Sequence, residues 1–388
     1  MAGNGASLDC DDLSPLFEPI SIGALALANR IVVSPMTRGR SHGGVLDDAA
    51  VKYYSDRARG GAGLIISEGS AINLRGSFSA GVPDFFGDDA LAVWRRVIKA
   101  VHAAGGLMMP QLWHSGLNRM REQSHDPSVP SLSPSGCYPQ WPDKVASGQP
   151  LEAMTQAEID RTIEDYATAA ANAKRLDFDG VEIHAGHGYL IDSFFWDRTN
   201  LRTDAYGGDY QGRTRLACEI ISAVRGRVGP DFPIAFRFSQ WKSPDFYTAR
   251  LCSTPQELEQ LLIPLVHAGV DLFDCSTRRF WEAEFPEVDD RLNLAGWTKK
   301  ITGVRAMTVG SVGIGSPLQR DRPDHGEASL VEVKATLAKL ADRLKAEEFD
   351  LVAIGRGMIA NPDWARKVQQ ARIHDLVPYD IAMRSEMV

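Results

Sequence analysis

The amino-acid sequence predicts an α/β fold of the (β/α)8 TIM-barrel class, and three observations lead to this prediction. Short apolar runs without polar alternation recur along the 388 residues, each with the length of a strand buried on both faces. Amphipathic helical stretches separate these runs, which is typical of parallel strands joined by right-handed crossovers. There are eight such runs, a number that favours a closed barrel over an open sheet.

The elements follow one another in a regular order. The predicted strands are Ile31–Ser34, Leu64–Ser67, Leu107–Leu112, Gly180–Ile183, Ile234–Phe238, Leu272–Cys275, Ala306–Val309 and Leu351–Ile354. The helical segments between them include Ala90–Ala104, Gln156–Lys174, Thr214–Arg227, Gln256–Ala268 and Val331–Glu347. We therefore expect one domain over residues 1–388, with the barrel at about 28–372 and extended loops at its carboxyl-terminal rim.

Two stretches lack helical periodicity and are expected to be loops. Residues 115–150 are rich in Pro, Ser and Gly, and loops of this length in compact chains are usually functional. Because this stretch follows the third predicted strand, we expect a lid over the carboxyl-terminal rim. A second irregular stretch, residues 313–327, follows the seventh strand.

Charge and composition narrow the classes of partner. The net charge of −8 argues against nucleic-acid binding, because no basic patch is available to neutralise phosphates. No apolar run approaches the roughly 18–20 residues that cross a bilayer, and the first residues are polar and acidic. The five cysteines form no C-x-x-C pair, which predicts reduced thiols, no metal site and a cytoplasmic location. The sequence leaves open whether the chain is a monomer or a homodimer.

Polar and glycine residues gather where the predicted strands end. In a barrel all of these ends lie on one rim, where such enzymes work. The rim segments are Pro35–Arg38, Glu68–Ser70, Gln111–His114, His184–His187, Arg237, Gly310–Ser311 and Gly355–Arg356. Their convergence on one cavity is the strongest physical indication of a small-molecule site.

The glycine-bearing ends of the last two strands indicate a phosphate site. Backbone N–H groups in such turns approach a phosphate closely, and the Arg356 guanidinium suits the same anion. Two ordinary tight turns and a surface arginine are the alternative reading. We also expect a helix with Asn361 as its N-cap and Pro362 at its first position.

His184, His187 and Tyr189 form a third group. Two histidines three residues apart suit either a metal, for which a third ligand is missing, or two hydrogen bonds to one carbonyl oxygen. A tyrosine, with a reference pKa of about 10, carries a proton at neutral pH and can donate it. Arg237 lies at the end of a buried strand. A buried cation needs a partner, and we expect that partner to be an anionic group in the cavity.

These segments resemble the Old Yellow Enzyme family of NAD(P)H:flavin oxidoreductases. The matching stretches are LANRIVVSPMTR, LIISEGSAI, PQLWHSG, GVEIHAGHGYLIDSF, the TN-x-R-T-D-x-YGG run and IGRGMIANPDW. They occur in family order over about residues 16–365, and CSTRRFWEAEF looks like one bacterial, classical-like branch. The resemblance implies a TIM-barrel ene-reductase.

The resemblance implies an FMN across the barrel mouth. Its contacts would come from Pro35, Met36, Thr37, Gly69, Gln111, Arg237, Gly310, Ser311, Gly355 and Arg356. The Thr37 hydroxyl would bond flavin O4 and tune the reduction potential, Gly69 and Gln111 would contact the pyrimidine edge, and Arg237 would stabilise negative charge near N1 and O2. The last four residues of the series would hold the phosphate.

The implied reaction is ping-pong. NADH or NADPH delivers hydride to the flavin and leaves, and an α,β-unsaturated carbonyl compound then takes the hydride at its β-carbon. His184 and His187 would bind the substrate carbonyl oxygen, Tyr189 would protonate the α-carbon and Trp113 would border the substrate. Tyr189, His184, His187 and Thr37 are thus the expected catalytic residues.

Some questions stay open at this level. Whether Phe280 or Trp281 lines the pocket is undecided, as are the natural substrate and the preference between NADH and NADPH. One alternative is a phosphate-binding barrel lyase or isomerase without flavin, which would explain Gly355 and Arg356. It would not explain the histidine pair, Arg237 and Thr37 together. Another is a flavin-binding sensor or scaffold with little turnover, against which the intact histidine pair and Tyr189 argue.

Overall fold

Eight parallel strands form a closed barrel and follow one another around it in chain order, as the sequence predicts. The structure is a computed structural model that describes residues 10–138, 151–243, 249–313 and 330–385. The barrel strands are β1 (Ile31–Val33), β2 (Leu64–Ala71), β3 (Met108–Trp113), β4 (Val181–His184), β5 (Ile234–Ser239), β6 (Leu272–Ser276), β7 (Arg305–Val309) and β8 (Leu351–Ile354). Closure comes from the pairing of β8 with β1, in which Val352 lies opposite Ile31.

Helices connect the strands and cover the outside of the barrel. They are α1 (Ala49–Arg59), α2 (Asp88–Ala103), α3 (Gln156–Arg175), α4 (Leu190–Phe195), α5 (Tyr210–Val228), α6 (Pro255–Ala268), α7 (Leu294–Thr302), α8 (Leu330–Lys345), α9 (Arg356–Ala360) and α10 (Trp364–Gln369). Their starts follow local capping chemistry: the Thr155 hydroxyl and the Asp209 carboxylate accept backbone N–H groups at the starts of α3 and α5. None of the helices among the described residues is both long and apolar enough to cross a membrane.

Side-chain alternation divides the strands into an outer and an inner set. Outward residues pack against the helices in one large core, whereas a separate small cluster fills the barrel interior. That inner cluster contains Met109, Ala235 and Leu272, and a hairpin of Ile20–Ile22 and Leu25–Leu27 packs against its amino-terminal end. Because successive inward positions are two residues apart, the next inward layer towards the rim is polar. Gln111, Glu182, Arg237 and Asp274 belong to this polar layer.

The predicted start of the last helix is wrong. Asp363 is the N-cap of α10, whereas Asn361 ends the separate short helix α9. The Asn361 side chain is used elsewhere: its amide donates to the Val377 carbonyl at 2.8 Å, and its oxygen accepts from the Val377 N–H at 2.8 Å. A long-range contact thus replaces the expected local cap.

The described part of the expected lid contains short ordered elements. Gly116–Asn118 and Arg121–Gln123 are 3-10 turns, and Ser131–Ser133 pairs in parallel with Leu151–Ala153. Residues 139–150 of that stretch lie outside the described residues, as do residues 314–329, which contain nearly all of the second irregular stretch. The lid therefore stays a prediction.

Candidate active site

A cavity opens at the carboxyl-terminal rim, and the structure brings nine of the sequence-predicted residues together around it. They are Pro35, Thr37, Gly69, Gln111, Trp113, His184, His187, Tyr189 and Arg237. Met36 contacts the end of β8, since a Cβ built on Gly355 would come within 3.1 Å of the Met36 sulfur. Residues from positions 35 to 237 thus line one cavity.

A buried carboxyl group anchors the loop that carries Pro35, Met36 and Thr37. The Glu68 Oε2 accepts the backbone N–H of Arg38 at 2.9 Å, while the Tyr54 hydroxyl accepts the N–H of Glu68 at 3.0 Å. Glu68 is almost fully buried, and this burial raises its pKa to about 7. The hydrogen bond from Arg38 to Glu68 of β2 therefore fixes the carboxyl-terminal end of this loop.

Gly69 allows β2 and β3 to approach each other closely at the cavity wall. A Cβ on Gly69 would lie 2.8 Å from Cε3 of Trp113 and 3.1 Å from Oε1 of Gln111. The Gln111 amide nitrogen donates to Oε1 of Glu182 at 2.7 Å, so the amide oxygen is the end directed towards Gly69. Only glycine leaves the space that this arrangement needs.

Arg237 has a protein partner, which corrects the expectation of an anionic cavity ligand as its counter-ion. Its Nη1 donates to Oδ2 of Asp274 at 2.5 Å, and Nη2 donates to the Ser276 hydroxyl at 3.3 Å. Asp274 and Glu182 are both fully buried. Burial raises the pKa of both carboxyl groups, and for Glu182 the negative charge of Asp274 raises it further.

His184 and His187 lie side by side in the cavity wall, with their rings edge to face and their ring centres 5.0 Å apart. Burial lowers the pKa of both imidazoles well below the usual range, and the Arg237 cation lowers them further, so both are neutral at pH 7. Nδ1 of His184 is buried without a hydrogen-bond partner among the described residues. Nε2 of His187 lies 2.8 Å from the Ser276 hydroxyl, and its ring stacks on Trp241 at 4.0 Å.

The segment from His187 to Tyr189 has an unusual backbone that other residues hold in place. His187 has a φ of 65°, which is uncommon for a residue with a side chain. The Asp192 carboxylate accepts the N–H of Gly188 at 2.5 Å and the Lys242 ammonium at 2.6 Å, and both charged side chains are almost fully buried. This ion pair fixes the turn that leads into Tyr189.

Tyr189 stands at the start of α4, and its ring contacts two other aromatic side chains of the cavity. Its ring centre is 5.2 Å from that of His184 and 4.7 Å from that of Trp113, in both cases edge to face. The phenol and the imidazoles therefore share one side of the cavity.

The predicted phosphate residues form a second group. Nη2 of Arg356 lies 3.4 Å from the Ser311 hydroxyl, which donates to the backbone oxygen of Arg278 at 3.0 Å. Burial lowers the pKa of Arg356 to about 10. Gly310 has a φ of 146°, and a Cβ there would lie 2.6 Å from Oγ1 of Thr277.

Several residues of the site were missed by the sequence reasoning. They are Glu182, Trp241, Lys242, Asp274 and Ser276. The alternation of Leu272, Asp274 and Ser276 along β6 was the available signal, because every second residue of a barrel strand points inward.

The open question about Phe280 and Trp281 has a structural answer. Phe280 is fully buried in the outer core, where its backbone oxygen accepts from the Asn293 amide and from Arg343. Among the described residues, neither aromatic side chain lines the cavity. Within the same residues, no group of three His, Cys, Asp or Glu side chains could hold a metal ion.

Comparisons with known proteins agree with this geometry. The model of the NADH:flavin oxidoreductase / NADH oxidase family matches residues 15–290. The flavin oxidoreductase hxnT of Emericella nidulans is 33% identical over 376 residues, which are 95% of this chain and 93% of that protein.

Solved structures are similar over nearly the whole chain. Old Yellow Enzyme from Pichia sp. AKU4542 aligns with a TM-score of 0.79 and 26% identity, covering 96% of this chain and 90% of that one. Morphinone reductase in complex with tetrahydroNAD aligns with a TM-score of 0.75 and 26% identity, covering 95% and 93%.

Proposed function

Because the chain belongs to the NADH:flavin oxidoreductase / NADH oxidase family, we propose that it reduces the activated C=C bond of α,β-unsaturated carbonyl compounds. The chain is an oxidoreductase whose cofactors are FMN and a reduced nicotinamide. One observation carries the finer proposal: two neutral imidazoles and a phenol share one side of a cavity that also holds Thr37, Gln111 and Arg237.

The residues present fit FMN. Gly69 and Gly310 are crowded positions where a side chain would fill the space, and cations stand at two places, Arg237 in the cavity and Arg356 beside Ser311. We assign the ring to Pro35, Met36, Thr37, Gly69, Gln111 and Arg237, and the phosphate to Gly310, Ser311, Gly355 and Arg356. When bound, FMN would supply the hydride-transfer chemistry that links oxidation of NADH or NADPH to reduction of the alkene.

The two histidines would hold the substrate carbonyl oxygen. The Arg237 guanidinium can only donate to the Ser276 hydroxyl, which is then free to donate its own proton to Nε2 of His187. That assignment places the His187 proton on Nδ1. His184, with Nδ1 buried, would donate from Nε2. Two N–H donors then polarise one carbonyl, which makes the conjugated β-carbon electron-poor.

Tyr189 would supply the proton that the α-carbon needs after hydride arrives at the β-carbon. Trp113, 4.7 Å from the Tyr189 ring, would border the substrate and limit the angle of the phenol. We propose that the nicotinamide and the alkene occupy this cavity in turn, which is a ping-pong order.

The test starts with the visible spectrum of the purified chain. A yellow protein that NADH or NADPH bleaches anaerobically and that 2-cyclohexenone reoxidises is the expected result. Parallel lines in double-reciprocal plots would support the ping-pong order. A colourless chain that takes up no FMN would contradict the proposal, and a reduced flavin that only oxygen reoxidises would favour the sensor or scaffold alternative.

A further inference from the structure

Two carboxyl groups lie side by side beneath the cavity, and the reaction proposed above gives neither of them a role. Glu182 on β4 and Asp274 on β6 are each 0% exposed. They stand on either side of β5, where Arg237 is in register with both His184 and Asp274. Three ionisable groups thus share one dry layer of the barrel interior, where unpaired charge is costly.

Two carboxyl oxygen atoms of this layer receive no hydrogen bond from the other groups described in it. Oε1 of Glu182 accepts from the Gln111 amide at 2.7 Å, and Oδ2 of Asp274 accepts from Arg237 at 2.5 Å. Oε2 of Glu182 and Oδ1 of Asp274 are buried and have no donor among the described residues. The two carboxyl groups lie within hydrogen-bonding reach of each other.

A single proton would satisfy both remaining oxygens. Two ionised carboxylates in contact repel each other, whereas one neutral acid donates to its charged neighbour. Asp274 carries the ion pair with Arg237, so the proton belongs on Glu182. We propose that Glu182 is a neutral acid whose Oε2–H donates to Oδ1 of Asp274, so that Gln111, Glu182, Asp274 and Arg237 form one continuous hydrogen-bonded chain beneath the flavin.

The charged groups that face Glu182 are Asp274 from β6 and Arg237 from β5, while β3 contributes the neutral Gln111. Burial, followed by the charge of Asp274, raises the pKa of Glu182, which agrees with a neutral acid. When Glu182 carries this proton, the charges of Asp274 and Arg237 cancel and the layer has no net charge. Without it, the layer would be an anion beneath a ring that must accept negative charge. Glu182 is therefore a positioning residue that acts through Gln111 and Asp274.

Glu182→Gln tests the proton directly, because an amide reproduces each hydrogen bond of the neutral acid but cannot ionise. In the wild type, the native state keeps a proton that the unfolded state loses above the ordinary glutamate pKa of 4.5. Wild-type stability therefore falls relative to the variant as the pH rises. We expect the ratio of unfolding constants, wild type over variant, to rise tenfold per pH unit from above pH 4.5 up to the native pKa.

The measurement is urea unfolding of the full chain at a fixed excess of FMN, repeated at several pH values. Glu259→Gln, which replaces an exposed glutamate, is the matched control and should leave the wild-type slope unchanged. The flavin midpoint potential is the second readout, and we expect it to be equal in wild type and Glu182→Gln at pH 7.

Three results would overturn the proposal that Glu182 is a neutral acid. They are a ratio of unfolding constants that does not change with pH, a higher flavin midpoint potential in Glu182→Gln, and a Glu182→Gln variant that fails to fold. A higher potential would mean that the substitution had removed a negative charge. The inferred effect of Glu182 on the flavin rests on the proposed function, whereas the inference that Glu182 carries a proton does not. If the flavin is bleached and reoxidised as proposed while the ratio of unfolding constants does not change with pH, this inference alone is refuted.

Discussion

The buried ion pair of Asp192 and Lys242 gives the sharpest prediction about the site. Lys242→Met keeps the length of the side chain and removes the ammonium group that lies 2.6 Å from the Asp192 carboxylate. Because Asp192 is 0% and Lys242 1% exposed, the remaining carboxylate has no access to water. Removing one partner of such a pair costs about 3–5 kcal/mol, which is a large share of the roughly 5–15 kcal/mol that stabilise a typical native protein.

The double variant separates charge from shape. Asp192→Asn combined with Lys242→Met removes both charges, while the amide oxygen of the asparagine still accepts the Gly188 N–H. We expect the double variant to recover most of the stability that Lys242→Met loses, because replacing a whole buried pair is far less costly than breaking one. Urea unfolding followed by circular dichroism measures both free energies.

A surface pair supplies the control for this experiment. Lys52 pairs with Asp56 one helical turn away, and its side chain is 70% exposed. Lys52→Met should therefore cost no more than about 1 kcal/mol. If Lys242→Met costs no more than this control, or if the double variant is as unstable as the sum of its singles, the account of the buried pair is refuted.

Three further predictions concern the cavity. Tyr189→Phe should leave flavin reduction by NADH or NADPH intact and slow alkene reduction by about 10²–10⁴-fold in stopped flow, and equal loss in both half-reactions would refute the proton-donor role. Gly69→Ala, whose Cβ would lie 2.8 Å from Trp113, should weaken FMN binding at least about tenfold in a fluorescence titration, whereas Gly226→Ala, at a position with open space, should not. Burial raises the pKa of Glu68 from 4.5 to about 7, so at about 1.4 kcal/mol per unit the wild type should lose about 3 kcal/mol of stability relative to Glu68→Gln as the pH rises from 4.5 to 7. A difference in stability that does not change with pH would contradict the buried-acid description of Glu68.

The sequence predicts the barrel because the signals that define it are local. Each strand is a short apolar run, and the structure confirms all eight, with no end more than four residues from its predicted position. The family resemblance, the use of FMN and the oxidoreductase class are likewise confirmed. Residues at the strand ends meet in one cavity because parallel strands share a rim, which is a property of the fold class.

What the sequence does not reveal depends on register and long-range contact. The partner of Arg237 is Asp274, 37 residues away, and it was missed because only strand pairing brings the two together. The bond between His187 and Ser276 has the same origin. Asn361 is a residue type that is common at N-caps, but its side chain is hydrogen-bonded to the backbone of Val377 instead. Local propensity is overridden wherever a distant group offers a better partner.

The pairing of β1 with β8 also sets an order in time. Ile31 cannot meet Val352 until ribosomal synthesis has passed that residue, so a nascent chain that ends before β8 exposes an unpaired strand edge. Arg356 emerges later still. We therefore expect the complete phosphate site to form only after β8 and Arg356 have been synthesised, and a chain truncated before β8 to aggregate more readily through its open edge.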